Sequence, residues 1–489
     1  EMKSLAKLFK SESGIEGDRL YGRHKDVVHD PTVFGCTVCH GGQGRATEIA
    51  DAHGKVAHWP EPMLPKAYLY AGCGGCHTHL SVPNLVRLEQ GRSRFEQADC
   101  LACHKLDGRG GMLRPGGAGG QEGPDLSRVG AGGFKPDWYA QHLAQKKKAS
   151  TGPWLSAFGE LAEPERLAID EFLRSRVGAP GLLEAKALFQ TLGCRGCHKV
   201  RGVGGDDGPD LTAVGNKDPG LLNFSQVAGE RTLANWLKQH FRAPASVVAA
   251  SAMPELGLTE RQIDQLTFYI LSLRRGSFPE ALWPKDRIRA ERFGSREFAT
   301  DGATLYGTFC AACHGANGEG MRYPGLAAFP AIANADFLRL VSDDFLRAQI
   351  KRGRPGRRMP AWGASEGGLR DEEVDRLVTY LRDLGGVAYA GDGKPRRWAA
   401  GDPAAGQRLY ADVCGSCHGG RGEGKEGPAL NNKVFLDLAT DSYLFKTIQN
   451  GRSGTSMVGF GAGSSVRRTL TDGEIASVIA FIRTWEGKK

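Results

Sequence analysis

The stretch "LLEAKALFQTLGCRGCH", residues 182–198, joins a helix-like run to two cysteines separated by two residues and followed at once by a histidine. A single Cys-x-x-Cys-His frame is compatible with a zinc site, a redox-active dithiol or the covalent attachment of a cofactor. The rest of the chain decides between these three interpretations.

The same frame recurs along the chain and uses all twelve cysteines. Its copies are Cys36, Cys39 and His40; Cys73, Cys76 and His77; Cys100, Cys103 and His104; Cys194, Cys197 and His198; Cys310, Cys313 and His314; and Cys414, Cys417 and His418. Cys-x-x-Cys-His is the attachment signature of c-type haem, in which both thiols add to the porphyrin and the histidine becomes the proximal iron ligand. We therefore expect six covalently bound haem c groups.

The two other uses of the cysteines fit less well. Zinc sites would require the frames to pair into four-ligand sets, and most of the gaps between frames are long and unequal. A disulfide framework is typical of small secreted chains and is not needed at 489 residues.

A repeat of roughly ninety residues organises the chain after about residue 90. Each repeat opens with a helix-like run into a frame and closes with a segment whose apolar residues recur at three- and four-residue spacing, as in an amphipathic helix. The opening runs are residues 85–104, 182–198, 303–314 and 406–418, and the closing segments are 163–176, 259–274, 370–385 and 471–485. Thr259 and Thr471 are candidate N-caps.

Between the two helices lies a loop with its own pattern: "GPDLSRVG" (123–130), "GPDLTAVG" (208–215), "GPALNN" (427–432) and a looser "YPGLAAF" (323–329). This order of elements resembles class I cytochrome c over about residues 91 to 487. The resemblance implies that a proline carbonyl accepts the second N–H of the proximal histidine. The prolines in that position are Pro124, Pro209 and Pro428, with Pro324 in the looser copy.

The fold class expected from this resemblance is mainly α, with four tandem class I cytochrome c-like helical domains behind an irregular, haem-organised module. The expected ranges are 1–90 for a di-haem module, 91–178 and 181–275 for the domains of haems 3 and 4, 276–297 for a linker, and 298–388 and 400–489 for the domains of haems 5 and 6.

The resemblance also implies a methionine as the second iron ligand in three domains. Met253, Met359 and Met457 occupy matching positions after haem frames 4, 5 and 6. Core packing is the alternative role for a lone methionine. In the domain of haem 3, Gly152 aligns with Met253, and Met112 follows His104 too closely to reach the opposite face of the haem.

Haems 1 to 3 therefore need other ligands, and histidines outside the frames are concentrated in the first ninety residues. We expect bis-histidine coordination, with His29, His53, His58 and His79 as candidates that are not assigned to individual irons. A surface or hydrogen-bonding histidine is the alternative at each position.

Charge and hydropathy restrict the partners. The formal net charge is +9, but the propionates of six haems would add about −12, which brings the holoprotein near neutrality. We therefore expect no nucleic-acid partner. The chain has no run of eighteen apolar residues that could span a bilayer and no secretion signal at its start. Covalent haem attachment of this kind takes place outside the cytoplasm, so we expect a periplasmic or other extracytoplasmic location, with association through a partner or a missing anchor.

The type of the second iron ligand suggests the direction in which electrons move along the chain. Methionine raises the potential of haem iron relative to a second imidazole, so a lower-potential N-terminal set would feed a higher-potential C-terminal set. We expect an electron-transfer subunit, not an enzyme by itself. By resemblance to tandem cytochrome subunits, its donor would be a membrane complex that oxidises (mena)quinol, and its acceptor a soluble cytochrome or a terminal acceptor.

Two other functions stay open. A peroxidase or a sulfur-compound oxidase would use an open iron at haem 3, and an extracellular cytochrome filament would use the chain as its repeating subunit.

Acceptor docking near Arg357 and Arg358 is one role for the basic run that also contains Lys351, Arg352 and Arg354. Pairing with haem propionates or simple solvation is the other.

Overall fold

A computed structural model describes residues 29, 31–59, 61–77, 85–110, 123–132, 135, 137–139, 141, 161–176, 179–275 and 279–486. His79, Met112 and Gly152 lie outside these ranges. Within them the fold is mainly α-helical, and the strands are one short antiparallel pair, β1 (Lys105–Leu106) and β2 (Arg109–Gly110). The expected fold class is confirmed. Over the described ranges, no helix combines the length and the hydropathy needed to cross a bilayer.

The helices follow the predicted order of elements. The first are α1 (Pro31–Phe34), α2 (Thr37–His40), α3 (Ile49–Ala52), α4 (Gly74–His77), α5 (Leu85–Gln97), α6 (Glu163–Arg174), α7 (Pro180–Thr191), α8 (Leu233–Arg242), α9 (Pro244–Val247), α10 (Glu260–Ser272) and α11 (Lys285–Arg292). They continue as α12 (Gly302–Phe309), α13 (Ala311–His314), α14 (Ala335–Leu340), α15 (Asp343–Arg352), α16 (Asp371–Gly385), α17 (Pro403–Val413), α18 (Gly415–His418), α19 (Lys433–Leu438), α20 (Asp441–Asn450) and α21 (Asp472–Arg483). Short 3-10 helices cover Lys66–Cys73, Cys100–Ala102, Val129–Gly132, Cys194–Gly196, Val214–Asn216, Pro219–Leu221 and Glu280–Leu282.

The chain divides into two compact units. The first contains residues 1–80, 213–248 and 258–295, and the second contains 81–212, 249–257 and 296–489. The predicted domain 181–275 contributes to both units, because its haem frame lies in the second and its helices α8 and α10 lie in the first.

The first unit is built around helix α10. Its buried residues include Ile263, Leu266 and Ile270, and the 3-10 helix that carries Tyr68 packs against it. The Tyr68 hydroxyl donates to Asp264 over 2.9 Å, and Lys238 pairs with the same carboxylate at 2.7 Å. These contacts fix the segment that leads into the second haem frame.

In the second unit the opening and closing helices of three repeats pack as pairs: α5 with α6, α12 with α16, and α17 with α21. A glycine lies at each crossing. A Cβ added at Gly91 would lie 2.0 Å from the carbonyl oxygen of Ala168, and one at Gly406 would lie 1.9 Å from that of Ser477. The opening helices therefore need glycine at these points so that the two backbones can approach closely.

Two helix starts confirm the predicted caps. The Thr259 hydroxyl accepts from the N–H of Gln262 over 3.3 Å, and Thr471 does the same for Glu474 over 3.3 Å. Both form capping boxes, in which the side chain three residues on accepts from the cap's own N–H.

Helix α12 provides a matched test of close packing. A Cβ at Gly302 would lie 2.5 Å from the carbonyl oxygen of Arg376, whereas one at Gly307 of the same helix meets nothing within 4 Å. We expect Gly302→Ala to destabilise the holoprotein by about 1–3 kcal/mol through overpacking, and Gly307→Ala to stabilise it by up to about 1 kcal/mol through helix propensity. Thermal unfolding followed by circular dichroism measures both, and equal effects would contradict the helix pairing.

Candidate functional site: the haem attachment frames

Each frame folds as a single tight turn. The histidine N–H donates to the carbonyl of the first cysteine over 2.9–3.0 Å in frames 1, 3, 4, 5 and 6, as from His198 to Cys194. Residues at positions i, i+3 and i+4 of such a turn are neighbours on one face. The spacing therefore presents two thiols and one imidazole together, as attachment and ligation of one haem require.

The thiols have the properties of attachment sites. All twelve are free, and burial raises the pKa of Cys194, Cys310 and Cys414 to about 12. A reactive dithiol attacks through a thiol of lowered pKa; here the pKa of the first cysteine of each of these three frames is raised, and the lowered pKa of Cys197 comes from its neighbour Cys313 in another frame and not from Cys194. In the described part of the chain, no three histidine, cysteine or acidic side chains group in a way that could hold a metal ion. The geometry thus favours attachment over the dithiol and zinc interpretations.

The proximal histidines make the hydrogen bond that the resemblance implied. Their Nδ1 atoms lie 3.0 Å from the carbonyl oxygen of Pro124 (His104), 2.9 Å from that of Pro209 (His198) and 2.8 Å from that of Pro428 (His418). Burial lowers the pKa of His198, His314 and His418. The neutral imidazole, which is the form that binds iron, is therefore favoured.

The expectation for Pro324 was wrong. His314 Nδ1 lies 2.9 Å from the carbonyl oxygen of Pro330. The true counterpart of "GPALNN" is "FPAIAN", residues 329–334, and the asparagines that end these stretches, Asn334 and Asn432, cap α14 and α19. The shared pattern Pro-Ala-aliphatic-x-Asn was the signal in the sequence.

The glycine before the proline has a steric reason. A Cβ would lie 2.5 Å from the Cε1 atom of His104 at Gly123, 2.4 Å from that of His198 at Gly208, and 2.7 Å from that of His418 at Gly427. In these three domains the loop lies against the face of the imidazole and leaves no room for a side chain at this position.

The methionine loops of the last two domains share a turn. The N–H of Arg354 donates to the carbonyl of Met359 over 2.9 Å, and that of Arg452 to Met457 over 2.7 Å. Both turns follow the pattern Gly-Arg-x-Gly-x-x-Met. These methionines and Met253 are half-buried, and their ligation of iron stays a prediction.

Arg354 and Arg452 are functional candidates that the sequence reasoning missed as a pair. The charge of Arg354 contributes to the lowered pKa of His314, and that of Arg452 does the same at His418. Burial lowers the pKa of Arg354, and the buried Nε of Arg452 has no hydrogen-bond partner. A guanidinium in such a place needs an anionic partner, so both residues fit the propionates of a bound haem.

The domains of haems 5 and 6 meet through reciprocal contacts. The Asn334 amide donates to the Ser453 carbonyl over 2.7 Å, and the equivalent Asn432 amide donates to the Pro355 carbonyl over 3.1 Å. Arg354 lies 4.8 Å from the ring centre of Phe435, and Arg452 lies 4.9 Å from that of Phe337. Equivalent residues of two repeats thus contact each other in both directions.

Frames 4 and 5 abut within the second unit. The side chains of Cys197 and Cys313 are neighbours, since each thiol shifts the pKa of the other, and a Cβ at Gly193 would lie 2.8 Å from the Cβ of Ala312. Glu297 anchors the junction through Arg195 at 3.1 Å. Two attachment sites are therefore joined at the second cysteine of each frame.

Frames 1 and 2 approach each other in a similar way within the first unit. A Cβ at Gly72 would lie 1.8 Å from the carbonyl oxygen of Cys39. Burial, and after it the charge of Cys76, raises the pKa of Cys39. The backbone of the second frame therefore packs directly on the first.

The basic run before Met359 mostly makes contacts within the chain. Lys351 pairs with Asp371 at 2.8 Å, Arg352 with Asp437 at 3.4 Å, and Arg358 with Asp207 at 2.7 Å. Arg357 is exposed and donates to Asn431 over 3.0 Å.

The distal histidine candidates have different surroundings. His29 lies beside His77. His53 is exposed, and His58, whose side chain is 84% exposed, lies 3.9 Å from Asp218. Of the three candidates that the structure describes, it brings His29 to a proximal histidine.

Substitution of Gly427 tests the support of the proximal ligand. In Gly427→Ala we expect the His418–Pro428 hydrogen bond to lengthen, which makes the imidazole a weaker donor and favours ferrous iron. If the weaker hydrogen bond stabilises the ferric state by about 1 kcal/mol less, the reduction potential of that haem rises by about 40 mV. Gly420→Ala, where a Cβ meets nothing within 4 Å, is the control in a spectroelectrochemical titration. An unchanged potential in the Gly427 variant would contradict this role.

Comparisons with known proteins agree with this geometry. Residues 182–274 and 299–385 match the family "Cytochrome c", and residues 401–482 match "Cytochrome C oxidase, cbb3-type, subunit III". The "Cbb3-type cytochrome c oxidase subunit FixP" of Bradyrhizobium sp. (strain ORS 278) is 31% identical over 163 residues, which are 31% of this chain and 51% of that protein. The "Cbb3-type cytochrome c oxidase subunit CcoP" of Azospirillum sp. (strain B510) is 26% identical over 243 residues, which are 45% of this chain and 71% of that protein.

The chain thus spans about half the length of the FixP relative. Among solved structures, the "Kuenenia stuttgartiensis reducing HAO-like protein complex Kustc0457/Kustc0458" is 19% identical, covers 38% of this chain and 94% of its own, and has a TM-score of 0.26. That score supports no structural conclusion. From the family matches and the relatives we conclude that the chain is a multihaem c-type cytochrome with cytochrome c domains, distantly related to the CcoP and FixP subunits of cbb3-type oxidases.

Proposed function

We propose that the chain is a six-haem electron relay on the outer side of a membrane. Electrons enter near the N-terminal module from a membrane complex that oxidises (mena)quinol. They leave near a C-terminal domain to a periplasmic or terminal acceptor. Each bound haem supplies a reversible one-electron change at its iron, and the protein supplies spacing, axial ligands and exclusion of water.

The observation that carries this proposal is the close packing of frames 4 and 5, where a Cβ at Gly193 would lie 2.8 Å from that of Ala312 and the thiols of Cys197 and Cys313 are neighbours. Both sulfurs are attachment points, so two cofactors would share a junction made of two thioether bonds. An enzyme with one working iron has no need for attachment sites in direct contact, whereas a relay depends on short paths between centres.

The reciprocal interface of the last two domains extends the path. Arg354 and Arg452 each lie near a proximal histidine of their own domain and against an aromatic ring of the other. The haem-binding faces of the two domains are thereby held together, so an electron at haem 5 has a short route to haem 6.

Direction depends on the predicted second ligands. With Met253, Met359 and Met457 on irons 4 to 6 and histidines on irons 1 to 3, potentials rise along the chain. Electrons then move from the N-terminal module to the C-terminal domains.

A membrane respiratory complex is the partner that the comparisons favour, because the relatives are named as oxidase subunits. Docking of a soluble acceptor near Arg357 and Arg358 stays a prediction. It rests chiefly on the exposed Arg357, since Arg358 is half-buried and paired with Asp207.

Glycine substitutions beside frame 4 test the junction. In Gly193→Ala the new Cβ would press on Ala312 and separate frames 4 and 5, so we expect electron equilibration between haems 4 and 5 to slow severalfold. Gly202→Ala is the control, because its backbone has a similar positive φ, +75° against +71°, but a Cβ there meets nothing within 4 Å. Pulse radiolysis of the holoprotein measures the rate. Equal rates of electron equilibration in the two variants would show that electrons do not pass through the junction of frames 4 and 5.

A combined EPR and redox titration of the oxidised holoprotein tests the function as a whole. We expect six low-spin irons, three of bis-histidine type at lower potential and three of histidine–methionine type at higher potential. A stoichiometric high-spin iron that responds to added small ligands would contradict the relay and favour an enzyme that uses haem 3.

A further inference from the structure

We propose that His29 is the axial ligand opposite His77, on the iron of the haem held by Cys73 and Cys76. This inference rests on haem attachment at that frame and is independent of the direction of electron flow proposed above.

The two imidazoles have the separation that a shared iron requires. Their ring centres lie 6.0 Å apart, and their planes differ by 27°. An imidazole–metal bond is about 2 Å long, so two such bonds plus half of each ring place the centres of two axial imidazoles about 6 Å apart. The two rings lie as a stacked pair. In ligation both ring planes would contain the line between the two ligand nitrogens, and a modest angle between the planes is compatible with that arrangement.

His77 is held on a rigid support. A Cβ at Gly74 would lie 2.3 Å from the carbonyl oxygen of Ser272, so α4 packs directly on the end of α10. Arg287, which is buried, donates to the carbonyl of Gly75. Its guanidinium also lies 3.9 Å from the ring centre of Trp283. The proximal imidazole of this haem is therefore well positioned by the fold.

His29 is positioned by its own neighbours. It lies just before helix α1, and its ring centre is 5.0 Å from that of Phe34, near the end of that helix. One residue, Gly35, separates Phe34 from Cys36, the first residue of frame 1. His29 thus connects the segment that leads into frame 1 with the histidine of frame 2.

The inference gives His29 a part in building the module. A ligand from outside frame 2 crosslinks two chain segments through the iron, since metal binding energy becomes folding energy when the site does not exist in the unfolded chain. It also gives this haem two imidazoles, the combination with the lower potential.

Three substitutions separate ligation from ring packing. His29→Phe keeps an aromatic ring beside His77 but has no ligand atom, and His29→Met supplies a different ligand. Phe34→Leu disturbs the packing of His29 and leaves its nitrogen in place. Mass spectrometry first verifies that each holoprotein carries its full number of haems.

We expect His29→Phe to convert one low-spin iron per chain to high spin and to regain low spin on addition of imidazole. His29→Met should stay low-spin with one potential shifted upward, and Phe34→Leu should leave all the irons low-spin. If His29→Phe retains every low-spin signal and every potential, the pair is an aromatic contact only and the inference fails. Should the phenylalanine variant not mature, an unchanged potential in His29→Met would be equally decisive against it.

A density map of the holoprotein identifies the iron concerned. The inference predicts His29 opposite His77, and any other residue in that place would overturn it. Because neither readout depends on the electron donor or acceptor, a failed relay and a wrong ligand would be distinguishable.

Discussion

The hydrogen bond between a proximal imidazole and a proline carbonyl is the constraint around which each cytochrome domain is arranged. For His418 the oxygen of Pro428 must lie 2.8 Å from Nδ1, so the loop has to pass over the ring with no side chain on Gly427. The same loop then ends in Asn432, which caps the next helix. One contact thus fixes the tautomer and orientation of the iron ligand and also the start of α19. The haem 5 domain keeps the proline and the capping asparagine but replaces the glycine by Phe329.

The backbones of neighbouring attachment frames approach each other closely, and this links local folding to the spacing of the cofactors. At Gly72 and Gly193 the attachment frames come so near each other that a methyl group would collide. A larger residue would cost stability, but its main effect would be to separate redox centres. In the relay that we propose, glycine at these junctions has a functional role as well as a structural one. This accounts for part of the high glycine content of the chain, 69 residues.

Sequence reasoning succeeded where a pattern is local. The frames, the opening and closing helices and the caps at Thr259 and Thr471 all depend on residues within one or a few turns, and they appear as expected. It failed where loops of different sequence have the same role. The stretch "YPGLAAF" suggested Pro324, but the carbonyl that contacts His314 is that of Pro330. It also could not find contacts between repeats. The pairing of Arg354 with Phe435 and of Arg452 with Phe337 joins residues about 80 to 115 positions apart and has no periodicity that a single sequence shows.

Contacts within the chain also change the interpretation of the basic run before Met359. In the sequence, five cations before Met359 suggest a surface for an acidic partner. In the structure, acidic side chains of the same chain pair with three of them, and Arg354 turns inward toward the histidine of its domain. The partners that Arg354 has within the chain, Gln349 and Ala429, are neutral. An anion would stabilise its charge further, and the anion that every haem brings is its propionate. The propionates of bound haems would offset much of the formal charge of +9. Most of the cations that the sequence offered for docking thus have partners within the chain, and Arg354 is the one of the five that is placed to meet a haem propionate.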